Sequence, residues 1–189
     1  MKIGFPSFLK PRAAFLAVLF IFAAGSAFGA ELPLKYYGKV VPSHVYRVGM
    51  AINQSIHYTL QAKAGAEVKK RILALKLKKF EAKKPADVVE VVFDIHDMVN
   101  TLRGQKGLKP IFRYTRKDGV VTPAIVYVNA VVALDGFVDL VRRIDPQKPI
   151  GHLYLSPEVG GKTPSDAFGQ MDLAFNRFAG LIREGRFFD

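Results

Sequence analysis

A chain of 189 residues with a net charge of +12 and no cysteine excludes a disulfide scaffold, a thiolate metal site, thiol catalysis and a lipid-modified cysteine anchor. The 28 Lys and Arg against 16 Asp and Glu favour anionic partners, such as phospholipid headgroups, acidic glycans or an acidic protein face, with simple solubilising charge as the alternative.

The first thirty residues read as an export signal. Lys2, Lys10 and Arg12 make a positive start with no acid before Glu31, and an unbroken apolar run, AAFLAVLFIFAA, follows from Ala13. Small residues then offer a peptidase site, with cleavage after Gly29 expected and cleavage after Ala27 as the alternative. The run is short of the roughly 20 apolar residues a spanning helix needs, so a retained anchor is the weaker reading. No later segment is expected to span, and the mature chain is expected to be soluble, extracytoplasmic (periplasmic or secreted) and a single domain over 30–189.

Four segments begin with a proline and continue as amphipathic helices. The prolines are Pro42, Pro85, Pro123 and Pro164, and the helices are expected at about 42–63, 85–103, 123–144 and 164–184. Counted from each proline, positions +3, +7, +10, +14 and +17 are apolar in eighteen of twenty cases, failing at Gly49 and Thr59. Steps of 4, 3, 4 and 3 trace one helical stripe. Position +12 is polar in every copy, Gln54, Asp97, Asp135 and Asn176, which marks a shared outer face. Proline suits the first helical position, because its missing N–H has no intrahelical partner there. Asp87 and Asp166 fall at N3, Asp166 facing Thr163 as a capping box, while Gly65, Gly104 and Gly185 are expected as stops. The expectation is an all-α fold: a four-helix bundle built from four repeated proline-started helices joined by long, partly extended linkers.

The linkers carry an aromatic residue beside a basic residue or histidine at 35–37, 77–80, 111–114 and 152–155. Residues 111–115 and 153–155 read as extended. Such linkers are long enough to return along the bundle, so parallel and antiparallel helices both stay open. Residues 67–84 hold eight Lys or Arg among leucines and isoleucine and read either as a basic amphipathic helix or, near 73–78, as an alternating strand. Lys69, Lys70, Arg71, Lys76, Lys78 and Lys79 are candidates for contact with an anionic surface.

Catalytic signatures are missing. The four histidines show no metal-ligand spacing, and there is no nucleophile elbow, P-loop or dinucleotide fingerprint. Gly160-Gly161-Lys162-Thr163 lacks the first glycine of a phosphate loop and reads as a lead-in to a helix cap. No metal, no cofactor and no nucleic acid are expected. Polar position +11, Asn53 and His96 in the first two copies against Leu134 and Phe175 in the others, is expected on the half-exposed flank, with a pocket lining as the sharper alternative. Asn53, His96, Arg113, Tyr114 and Tyr154 are therefore the candidate ligand-binding residues. The expected function is a non-enzymatic binding or sensor-like module for a small ligand or envelope protein. The alternative is a structural protein held to anionic membrane or polysaccharide through residues 69–84.

Overall fold

The four prolines open four long helices. In the computed structural model, which describes residues 39–147 and 149–184, these are α1 (Pro42–Lys63), α3 (Pro85–Gln105), α4 (Pro123–Ile144) and α5 (Pro164–Arg183). A short helix, α2 (Ala66–Leu73), follows α1, and a 3-10 turn (Gly151–Tyr154) lies between α4 and α5. The described residues are all-helical, with no strand. The export signal, the 35–37 segment and Gly185 lie outside the described residues.

Three of the four starts use their N3 side chain. Asp87 and Asp166 accept the N–H of Lys84 and Thr163 at 2.7 and 2.8 Å, and Thr163 Oγ1 accepts in return from the N–H of Asp166 at 3.2 Å. In α1 the same place is taken by His44, whose Nδ1 accepts the Val41 N–H at 3.1 Å. Ile125 of α4 has no acceptor, and Thr122 Oγ1 instead accepts its N–H at 3.4 Å. The expected stop at Gly104 is shifted: Gly104 is helical, and α3 ends one residue later, at Gln105. Gly107 takes φ +65°, with Leu108 N–H bonded to Arg103 O and Gly107 N–H to Gly104 O, both at 3.0 Å. This is a Schellman ending, which places glycine at the left-handed position.

All twenty stripe positions are buried, including Gly49 and Thr59. α1 packs on α4 and α5, and α3 packs on the same two. Pro42, Pro85, Pro123 and Pro164 line one small apolar recess together with Val45, Val88, Val126 and Ala167. The four helices therefore start at one end and run the same way. Equal positions meet in layers. At +14, Phe137 and Phe178 cross edge to face with ring centres 4.8 Å apart. At +7, Gly49 of α1 makes room for α5, because an added Cβ would stand 2.7 Å from Gln170 Cβ and 3.4 Å from Met171 Cε.

Parallel helices add their dipoles instead of cancelling them, which favours cations at the common far end. Lys63, Arg103, Arg142, Arg143 and Arg183 occupy the last turns. A helix of about 30 Å must also be re-crossed before the next can begin. Residues 74–84, at about 3.3 Å per extended residue, are long enough to do so.

Two expectations for the connecting segments and one for α4 need correction. Residues 67–73 are helical, but 74–80 form no strand, because no strand lies beside them to pair with. Instead the backbone of Lys78 lies on α5, where an added Cβ at Gly169 would be 2.8 Å from its carbonyl oxygen. Leu153 belongs to the 3-10 turn and not to extended chain. Finally, Pro123–Arg143 is long and apolar enough to cross a membrane by length and composition, contrary to the expectation that no later segment is. However, 67% of its most apolar window is buried inside the protein, the pattern of a core helix.

Candidate functional site

Asn53 and His96 are buried, at 7% and 0% exposure, and not on a half-exposed flank. The reason is that both bridge to a neighbouring helix. Asn53 Nδ2 donates to Gly49 O on its own helix and to Gln170 O of α5, at 2.9 and 3.0 Å. Arg177 Nη1 donates to Asn53 Oδ1 at 3.1 Å. His96 Nε2 lies 2.8 Å from Asn129 O of α4, and since a carbonyl only accepts, that nitrogen carries the proton. Its Nδ1 is buried without a hydrogen-bond partner. Burial holds the His96 imidazole below its ordinary pKa, with the Asn129 carbonyl opposing.

Arg113 and Tyr114 join His96 around the α3–α4 groove. Arg113 donates to Phe93 O at 3.0 Å, pairs with Asp97 and stacks over the Phe93 ring at 4.9 Å. Asn129 clamps the Tyr114 backbone, accepting its N–H and donating to its carbonyl, both at 2.9 Å. Asn100 holds Ile111 in the same two-way manner, at 2.8 and 3.3 Å. Arg113, Asn100 and Asn129 hold the second linker, residues 106–122, against α3 and α4. Asn129, fully buried, was missed by sequence reasoning, although a lone asparagine inside an apolar helical run is the signature of a polar group with a buried partner.

Tyr154 is placed apart from the other four, at a recess between α1 and α4 under the third linker, the chain between α4 and α5. The recess is half-open and about 150 Å³, lined by His44, Arg47, Val48, Ala51, Tyr127, Leu134, Tyr154 and Ser156. Tyr154 OH donates to Asp135 at 2.7 Å. Desolvation and then that carboxylate push its pKa above the ordinary value. Arg47 Nη2 donates to Ser156 O at 3.3 Å, and its Nη1 lies 4.0 Å from Glu158. His44 and Tyr127 meet edge to face at 6.2 Å. Toward the proline end the recess adjoins a second hollow that shares His44 and Arg47 and reaches Glu158 and Gly160.

His44, Arg47 and Tyr127 were not singled out from the sequence. Polarity at position +11 does not mark the recess, because the recess opens where +11 is apolar. Leu134 (+11 from Pro123) and Val48 (+6 from Pro42) both line it, in the place where two other seams carry Asn53 with Gln170 and His96 with Asn129. A visible signal existed in the histidine and arginine at +2 and +5 from Pro42 and the tyrosine at +4 from Pro123.

The basic candidates gather on α2 and the chain after it. Lys70, Arg71, Lys76, Lys78 and Lys79 are exposed and Lys69 is half-buried. Arg71 pairs with Glu184, and Lys78 lies 4.0 Å from Asp172. Leu75 and Leu77 stand between the lysines at 38% and 47% exposure, while Ile72 anchors the segment on Gly180 of α5. Among the described residues no group of three His, Cys, Asp or Glu is placed to hold a metal ion. No protein-family model matches the chain, and no curated protein or solved structure matches it significantly.

Proposed function

We propose that this chain is an extracytoplasmic, non-enzymatic binding module: a parallel four-helix bundle of four copies of one helix-and-linker unit, released by cleavage after Gly29, that takes a small ligand beneath its third linker. The observation that carries this reading is the recess between α1 and α4, where an apolar floor of Val48, Ala51 and Leu134 meets the polar ends of His44, Arg47 and Tyr127. A mostly apolar hollow with a few convergent polar groups is the usual form of a small-molecule site. The repeat reading rests on the twenty buried stripe positions and on the shared N3 caps of three of the four helices.

Thermal-shift screening of the purified protein against small envelope metabolites tests this. A ligand of the recess raises the melting temperature of the protein and leaves that of Ser156→Trp, which fills the recess from the linker side, unchanged. Hits that stabilise both proteins equally would place binding elsewhere.

A second reading is favoured by the exposure of Leu75 and Leu77 among Lys76, Lys78 and Lys79. Leucines flanked by lysines suit an anionic lipid or polysaccharide surface, where apolar insertion and charge attraction add. It requires salt-sensitive binding to phosphatidylglycerol vesicles that is lost when the six basic candidates become glutamine.

A further inference from the structure

Resting on the binding-module reading, we infer that the ligand of the α1–α4 recess is a small monocarboxylate, its carboxylate on Arg47 and His44 and its apolar part on Val48, Ala51 and Leu134. The recess has two chemically different ends. Its floor is the apolar seam, with Val48 at 8%, Ala51 at 2% and Leu134 at 3% exposure. Its other end offers donors. His44 Nδ1 accepts the Val41 N–H, so the ring's proton sits on Nε2 and that end of the imidazole donates. Arg47 gives one N–H to Ser156 O and keeps further donors on a planar fork whose geometry matches a carboxylate.

The charges around this end leave room for one anion. Glu158 lies 4.0 Å from Arg47, beyond hydrogen-bond reach, and is 94% exposed, so water screens it. Asp135 is already bonded by Tyr154 OH and lies at the exposed outer edge. The recess is walled by α1 and α4, the two long helices that carry no acid in their first turns, while α3 and α5 carry Asp87 and Asp166 there. Their positive ends have no carboxylate in the first turn and so favour a nearby anion. A single arginine matches one carboxylate better than a dianion. A hollow of about 150 Å³ holds several waters or one small organic acid.

Propionate and benzoate, each against its neutral amide, test this by NMR titration of the purified protein, Arg47→Gln, Arg47→Lys and Ser156→Trp. The acids are expected to bind about ten-fold more tightly than the amides, the margin of a charge-assisted hydrogen bond over a neutral one. That margin is expected to disappear in Arg47→Gln, to survive in part in Arg47→Lys, and all binding is expected to fail in Ser156→Trp. Equal binding of acid and amide, or an unchanged preference in Arg47→Gln, overturns the carboxylate assignment and leaves the binding module standing. No saturable binding of either class, acid or amide, overturns the recess as a site for such ligands as well.

Discussion

Asn53 of α1 donates to the backbone carbonyl of Gln170 of α5 at 3.0 Å, and His96 of α3 stands in the same relation to Asn129 of α4, at 2.8 Å. In both cases the residue eleven places after one helix's proline meets the residue six places after another's. At those positions the two remaining seams have Leu134 and Val48, which line the recess together, and Phe175 and Val91, each packed against the core, so polar and apolar residues alternate from seam to seam. Such alternation fixes which helices adjoin, because sliding a polar pair against an apolar one would bury an unpaired amide.

Replacing Asn53 with leucine is therefore expected to cost about 1–3 kcal/mol, since Arg177 loses its acceptor and Gln170 its donor in a buried place. Adding Gln170→Val rebuilds the Leu134–Val48 arrangement and should recover part of the loss. Urea unfolding of the two single variants and the double gives the coupling, expected to exceed about 0.5 kcal/mol. Strict additivity would contradict the pairing.

The buried imidazole gives a pH dependence of known sign. His96 is held below its ordinary value of 6.5 by burial, so the unfolded chain binds its proton more readily than the folded one. Its stabilising effect is complete above about pH 6.5 and is lost as pH falls from there toward the lowered folded value. Urea midpoints measured between pH 7.5 and 5 should fall less in His96→Leu than in the natural protein, with His44, His57 and His152 common to both. Identical slopes would remove His96 from the account.

Glycine-to-alanine substitutions separate two roles within the long helices. Gly104 has nothing within 4 Å of an added Cβ, so Gly104→Ala should gain up to about 1 kcal/mol from helix propensity. At Gly49 the added atom meets Gln170 Cβ at 2.7 Å, and α1 and α5 must separate. Gly49→Ala is expected to lose about 1–3 kcal/mol despite the same propensity gain. Chemical denaturation of both variants checks the opposite signs.

The stripe, the proline starts and the N3 caps were legible because helical period and end chemistry are local properties. Helix direction was not, since an amphipathic stripe packs equally well either way up and the deciding contacts join residues tens of positions apart. Polarity alone puts the +11 residues on a flank. Their burial depends on carbonyls of other helices that no local pattern reveals. The recess was hidden for a related reason: its polar end comes from the first turn and a half of α1 and α4, and its lid from a linker whose path is set by Arg47 and Tyr154.

If the exported form begins where the signal pattern places it, N-terminal sequencing of protein recovered from the periplasm should start at Ala30. A start at Met1 would contradict cleavage and leave the apolar run attached.

Amide shift mapping with propionate bears most directly on the binding recess. Saturable shifts are expected at Val48, Ala51, Leu134 and Ser156, where the apolar floor and the linker enclose the ligand. Shifts that instead gather over residues 69–79, or that grow linearly without saturating, would contradict it.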